Sequence, residues 1–444
     1  MKVLLTSDHH LQAINGVVVA VKNLYKELKK KKVDVKVLVL SPTSKNYVEG
    51  DIYHIGSIPF NIYPDVRASI VVQNPLIEEL IHWQPDLIHS QCEFFTYSFT
   101  QKIAAKCKCP IVHTYHTMYE HYIQYLLPLG KWGRFVAPIM RIRLKTADVV
   151  IAPTQKTKNS LMKGKIASDI RVIPSGIELS QFDKRISPEE KKELLDSLNI
   201  PKESFVIGSV GRLAKEKNYS EVLQTFKKLL EIKNKTYLVL TGGGAYLEEL
   251  KKEAHQLGIE DHVRFPGMVP MEKVYYYYQI LDVFVSASIS ETQGLTYIEA
   301  LANGLPVIAR KDEAIEGVIE EGVNGLIFES QEKFLEKLLM VFDPDKKENL
   351  SQGAIASRKN FGTELFGDRV YKLYEEVLNR NGLPKLQTTS FRNQLSKHIR
   401  LRSERSDYGQ FYQAIQSKLQ RAKFQLQNEK NKDESIDSFE EKNY

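Results

Sequence analysis

Short, mostly apolar runs alternate with stretches of helical spacing from Met1 to Asn379. Val3–Thr6, Val35–Leu40, Leu87–His89, Ile111–Thr114 and Val149–Ala152 read as strands covered on both faces. Between them lie amphipathic stretches such as Val17–Lys31 and Ser98–Lys106. This alternation predicts βαβ units and a parallel sheet. The run Ile173-Pro174-Ser175-Gly176-Ile177 is expected to be a linker, and Ser187-Pro188-Glu189-Glu190 has the composition of a capped helix start. The same plan then restarts, with strands at Phe205–Val210, Tyr237–Leu240, Val263–Phe265, Val283–Val285, Val307–Ala309 and Leu326–Phe328. Helices are expected at Tyr219–Leu230, Tyr246–Leu257 and Phe366–Asn379.

The fold class is therefore α/β, with two Rossmann-like domains expected to face each other across a cleft. Residues 1–175 and 176–365 are assigned to them, with the helix 366–380 packing back on the first and a tail over 381–444. Ligands of such sheets sit beyond the carboxyl ends of the strands.

With 444 residues, either half is long enough for its own core, and 42% hydrophobic content is ordinary for a soluble globular protein. No run reaches the roughly 18 apolar residues that span a bilayer, and Met1-Lys2-Val3 enters a strand without a signal-peptide pattern. Cys92, Cys107 and Cys109 suit neither a disulfide framework nor a zinc site. The expected setting is reducing and cytoplasmic. The net charge of +7 is uneven, because Lys385 to Lys423 is strongly basic, with only Glu404 and Asp407 opposing. From Glu429 onward the chain is acidic, and the tail is expected to be partly disordered. A basic tail suits nucleic acid or an anionic membrane surface equally well on charge alone.

Two stretches of the second half carry chemistry. In Ser290-Glu291-Thr292-Gln293-Gly294-Leu295-Thr296-Tyr297-Ile298-Glu299 a strand turns through glycine into a helix start, flanked by carboxylates. The unpaired N–H groups of Gly294, Leu295 and Thr296 would cradle a phosphate. Glu291 and Glu299 would repel that phosphate directly, so they suit the hydroxyls of a sugar and a ribose. In Gly211-Arg212-Leu213-Ala214-Lys215-Glu216-Lys217-Asn218 glycine admits a close approach, while Arg212 and Lys217 supply two cations for a diphosphate. A capped helix and a solvated loop would explain either stretch alone. Two matched anion sites in one domain favour a nucleotide-sugar. Gly242-Gly243-Gly244 reads as a tight turn, Tyr275–Tyr278 as packing, Asp8-His9-His10 as loop-stabilising and His113 as a satisfied, half-buried histidine.

The pair of motifs resembles the donor site of retaining GT-B glycosyltransferases, over about residues 1 to 380. The resemblance implies that Arg212 and Lys217 hold the donor diphosphate, Glu291 the transferred sugar, and Glu299 the ribose. It places Gly294, Leu295 and Thr296 as the backbone cradle, and Val269, in Phe265-Pro266-Gly267-Met268-Val269, beside the nucleobase. Gly16 matches the glycine of the first loop, although Asn15 stands where many relatives carry a second glycine. His116, in His113-Thr114-Tyr115-His116-Thr117, matches the histidine that contacts the donor sugar. His116 and Glu291 are thus the residues expected at the reacting centre.

Ile14-Asn15-Gly16-Val17, Gly56-Ser57-Ile58-Pro59-Phe60-Asn61-Ile62-Tyr63-Pro64 with Arg67, and His113 to Glu120 look most like the bacterial diacylglycerol α-glucosyltransferases. That likeness implies UDP-glucose as donor, diacylglycerol as acceptor and net retention by front-face attack. It implies no tightly bound cofactor and no required metal, since two cations take that place. Met118 to Leu127 is apolar and aromatic, and Lys131 to Lys145 interleaves cations with apolar side chains and holds no acid. Lys131, Trp132, Arg134, Phe135, Arg141 and Arg143 are read as an interfacial helix meeting anionic lipids on the cytoplasmic face of the membrane. The alternative is a core helix with a basic outer edge. Another lipid, a glycolipid, or a soluble or protein acceptor is the rival within the class. A nucleic-acid-binding role for the tail is the rival outside it, and no nucleic-acid partner is expected.

Overall fold

The computed structural model describes residues 1–13, 15–59, 67–69, 74–116, 143–164 and 169–380. They fall into two compact units. The first takes Met1–Pro153, Thr157–Ile173 and the described part of Gly367–Tyr444; the second takes Thr154–Lys156 and Pro174–Phe366.

Among the described residues, ten strands belong to the first unit: β1 (Lys2–Ser7), β2 (Asp34–Leu40), β3 (Tyr47–Glu49), β4 (Ile52–Ile55), β5 (Ile58–Pro59), β6 (Arg67–Ala68), β7 (Leu87–Ser90), β8 (Ile111–Thr114), β9 (Val149–Ala152) and β10 (Asp169–Val172). Eight form one sheet in the order β10-β9-β8-β7-β1-β2-β4-β3, parallel except for the edge pair β3–β4. Residues of β7, β8 and β9 are buried throughout, as two-sided coverage requires. The helix Gly16–Lys30 presents Val18, Val21, Leu24 and Leu28 to this core at helical spacing. Asn15 begins it, and its side-chain oxygen accepts from Val18 N at 3.0 Å. That cap gives a physical reason for asparagine in place of a second glycine.

The second unit holds β11 (Phe205–Val210), β12 (Thr236–Thr241), β13 (Val263–Gly267), β14 (Val283–Ser286), β15 (Val307–Arg310) and β16 (Gly325–Phe328). All pair parallel, in the order β13-β12-β11-β14-β15-β16. The helix Pro188–Ser197 opens with the capping box written into its sequence, Ser187 and Glu190 each bonding the other's backbone N–H. The polar β10 and the helix Gln155–Lys163, which buries only Thr157 and Leu161, gave little apolar signal in the sequence.

The long helix Thr363–Leu378 ends in the first unit. Gly367 passes so close to the helix Gly16–Lys30 that a Cβ there would stand 2.6 Å from Glu27 Cβ. Further along, Tyr374 Oη lies 2.6 Å from His89 Nδ1, while His89 Nε2 meets Thr114 Oγ1 at 2.7 Å. Burial holds the His89 pKa well below its ordinary value. A neutral imidazole needs one donor and one acceptor, and two hydroxyls can supply both. Tyr374→Phe strands a ring nitrogen in a fully buried place, so a loss of about 1–3 kcal/mol is expected. A lower denaturant midpoint would show it; an unchanged midpoint would mean the hydroxyl does not anchor the helix.

Candidate active site

In the second sheet the strand order reverses between β11 and β14, so the loops leaving their carboxyl ends diverge and open a crevice. Both sequence motifs fall on these two loops. After β11 the chain passes through Gly211, at φ +151°, and ends in the turn Lys215–Lys217. The loop after β12 packs directly onto it. A Cβ at Gly242 would stand 1.8 Å from Gly211 O, and one at Gly244 would stand 2.1 Å from Leu213 O. Only glycine permits that approach, and Leu213 N then donates to Gly243 O at 2.8 Å. The end of β13 joins the same edge, since Gly242 N donates to Gly267 O at 2.9 Å just before Val269.

After β14, the chain reaches Gly294 at φ +72°, a left-handed conformation that favours glycine. It starts the helix Leu295–Ala302 with no side-chain cap and no acid in the first turn. The amide edge of Leu295 and Thr296 is therefore left to an outside acceptor. Gln293 is buried and clamps Ser175, accepting from Ser175 N at 2.9 Å and donating to Ser175 O at 2.8 Å. Thr154 Oγ1 donates to Thr292 O at 2.8 Å, and Lys156 pairs with Asp312 at 2.5 Å. Thr292 and Gln293 thus hold the helix end of the loop.

Lys217 Nζ donates to Glu291 Oε1 at 2.6 Å, and Arg212 Nη2 donates to Glu216 Oε1 at 2.6 Å. The structure thus gathers Arg212, Lys217, Glu291, Gly294, Leu295, Thr296 and Glu299 on one edge of the second unit. Burial pushes the Glu291 carboxyl up, but the Lys217 ammonium, with Ser288 and Lys156 adding to it, holds the group below the usual range. Glu299 has no such cation. Burial raises its pKa to about 7, although the Tyr278 hydroxyl donates to Oε2 at 2.7 Å. Two carboxylates eight positions apart thus titrate in different ranges, because an ammonium offsets burial at Glu291 and a phenol offsets it only in part at Glu299.

The first sheet has its own reversal, between β1 and β7. Gly16 opens the exposed N-terminus of the helix after β1, and His116 follows β8. His116 is half-buried, with Nε2 2.7 Å from Gln91 Oε1. Burial, with His113 and His9 nearby, lowers its pKa to about 3, so the imidazole is neutral. Asp8 accepts from Phe94 N, Thr96 N and Thr96 Oγ1, capping from a distance the helix Phe95–Cys107, which lacks a cap of its own. Among the described residues, no group of three His, Cys, Asp or Glu side chains gathers as a metal site.

Comparison with known proteins fits this geometry. The family described as Glycosyltransferase Family 4 matches residues 14–181, and Glycosyl transferases group 1 matches residues 190–356. An alpha-monoglucosyldiacylglycerol synthase of Streptococcus pneumoniae is 33% identical over 87% of this chain and 88% of its own. The protein of the same name from Acholeplasma laidlawii is 30% identical over 86% of this chain and 98% of its own. The chain belongs to the GT-B glycosyltransferases. Their fold recurs in the crystal structure of Anabaena HepE with UDP-glucose, at a TM-score of 0.66 and 18% identity, over 85% of this chain and all of that one.

One site expectation for this glycosyltransferase is corrected. Arg143, placed with the membrane-facing cations, is buried at 8% exposure; it donates to Phe94 O at 2.8 Å and Ser98 Oγ at 3.2 Å. Its guanidinium offsets the buried Asp8 and Glu93, so it serves the interior. Lys131, Trp132, Arg134, Phe135 and Arg141 lie outside the described residues, as do 60–64, 117–127 and the tail 381–444. His113 is also deeper than expected, fully buried, with Nε2 3.2 Å from Glu93 and Nδ1 unpartnered. Tyr278 does pack in the core, but its hydroxyl on Glu299 went unread, because spacing shows an apolar face and not what a phenol reaches. No described helix is long and apolar enough to cross a membrane.

The raised Glu299 pKa fixes the sign of a pH effect. The folded state binds the proton more tightly than the unfolded chain does, whose glutamate titrates near 4.3. Stability from this group is therefore complete below that value and falls as pH rises towards about 7. Glu299→Gln keeps an acceptor for Tyr278 and removes the titration. Thermal midpoints of wild type and variant should agree near pH 4.5, with the variant higher at pH 8. A gap independent of pH would refute the buried-carboxyl reading.

Proposed function

We propose that this glycosyltransferase moves glucose from UDP-glucose to the 3-hydroxyl of 1,2-diacylglycerol, forming α-monoglucosyldiacylglycerol with net retention. The observation that carries the reading is the Lys217–Glu291 pair beside the uncapped helix start at Gly294, both at the strand reversal of the second sheet. Cations and amides at such a point suit a pyrophosphate, and carboxylates beside them suit hydroxyls. The choice of lipid rests on the two relatives named as synthases of this glycolipid.

In this mechanism the acceptor oxygen bonds to the sugar C1 as the bond from C1 to the UDP oxygen breaks. Both lie on the same face, and the acceptor proton passes to a donor phosphate oxygen. Arg212, Lys217 and the amides of Gly294, Leu295 and Thr296 offset the charge that develops on UDP. Arg212 and Lys217 are paired with Glu216 and Glu291, so they meet the phosphates already oriented. Glu291 holds hydroxyls of the glucose, Glu299 those of the ribose, and Val269 lies at the base. His116 offers a neutral nitrogen to the sugar. We assign the charge compensation to these groups, with no tightly bound cofactor and no required metal. The enzyme works as a peripheral protein on the cytoplasmic face of the membrane. Anionic lipids, and not nucleic acid, attract the cations of 131–141 and 385–423.

The test is transfer of radiolabelled glucose from UDP-glucose to diacylglycerol in vesicles with and without anionic lipid. Wild type should label the lipid phase, more strongly on anionic vesicles. Lys217→Met and Glu291→Gln, which keep side-chain volume, should each lose on the order of a hundredfold in kcat with unchanged circular dichroism. Full transfer by both variants, or label entering only a soluble acceptor, would overturn the reading.

A further inference from the structure

Gln91 stands out among the residues that neither motif includes. It follows β7 directly, as His116 follows β8 after Tyr115, and the two strands are paired with Ser90 opposite His113. Its backbone is fixed because Gln91 N donates to Thr6 O at 2.8 Å, at the end of β1. The backbone before His116 is fixed too, Tyr115 N donating to Ile151 O at 2.9 Å. Two residues on two anchored strand ends thus meet through their side chains, at 2.7 Å.

The amide of Gln91 is 3% exposed, and its Nε2 has no hydrogen-bond partner. A buried amide that served stability alone would be satisfied at both ends. Here one end is left unpaired while the other is spent on a single imidazole nitrogen. His116 makes no other hydrogen bond among the described residues, and its Nδ1 is not one of the buried atoms. One nitrogen of the ring is committed to Gln91; the other has no partner among the described residues.

We propose that Gln91 is the positioning residue of His116, its amide oxygen holding the proton on Nε2 so that Nδ1 is presented as a hydrogen-bond acceptor for a hydroxyl of the transferred sugar. This rests on the reading of His116 as a donor-sugar residue. The neighbours reinforce a neutral ring. His113 on β8, His89 on β7 and His9 after β1 would each repel a second proton, and Glu93 is already engaged by His113. A carboxylate in place of the amide would upset that balance, because it would favour the imidazolium. Glutamine gives the same directional acceptor without the charge.

The experiment uses the full-length protein labelled with 15N in its histidine rings and free of ligand, with His116 assigned by the loss of its signals in His116→Phe. Wild type should show a protonated Nε2 and an unprotonated Nδ1. Gln91→Leu should lose that single tautomer and lower kcat by up to about a hundredfold, the loss that a misplaced group produces. Its KM for UDP-glucose should change little. Gln91→Glu should keep the proton on Nε2 and raise the pH at which His116 titrates. A proton on Nδ1 in wild type would overturn the proposal, and so would an unchanged His116 spectrum in Gln91→Leu. Wild-type protein that shows the expected tautomer yet moves no sugar would sink the donor-site reading and leave the Gln91–His116 pairing standing.

Discussion

Glu291 is 8% exposed, and a carboxylate so placed stays ionised because Lys217 meets it at 2.6 Å. Removing either partner from a buried pair leaves an uncompensated charge, which costs about 3–5 kcal/mol where burial is complete. The pair joins loops that belong to β11 and β14, neighbours in the sheet although β12 and β13 lie between them in the chain. The rest of the edge follows from holding those loops together. Gly294 can then start its helix with open amides, Gln293 can clamp Ser175, and the glycines after β12 can lie against Gly211 and Leu213.

Much of this was legible in the sequence, for a definite reason. A glycine at a positive φ and the onset of helical spacing after an apolar strand are local requirements, so Gly211, Gly294 and the flanking charges could be read in place. The capping box of Ser187 and Glu190 is local in the same sense. Contacts set by the sheet order were not legible. Tyr278 reaches Glu299 from another helix, and Asp8 caps a helix that begins at Phe95. Arg143 shows the limit most clearly. Composition placed it in a basic, apolar stretch, but only the fold brings Phe94 O and Ser98 Oγ to its guanidinium.

The two units use charge differently. At the edge of the second, full charges meet in pairs, and Arg212 keeps 37% of its side chain exposed while bound to Glu216. A cation so exposed is within reach of an incoming phosphate. At the edge of the first, His89 is buried and His116 half-buried, both are neutral, and hydroxyls hold the nitrogens of the one while an amide holds a nitrogen of the other. Paired full charges suit an anionic group, and neutral hydrogen-bonding nitrogens suit hydroxyls.

Whether the edge where β11 and β14 end binds a nucleoside diphosphate can be seen in a crystal of this protein soaked with UDP. Pyrophosphate density is expected within hydrogen-bonding reach of Arg212, Lys217 and the amides of Gly294, Leu295 and Thr296. The ribose hydroxyls should lie on Glu299. Well-ordered UDP bound anywhere else, with this edge unchanged, would contradict this expectation.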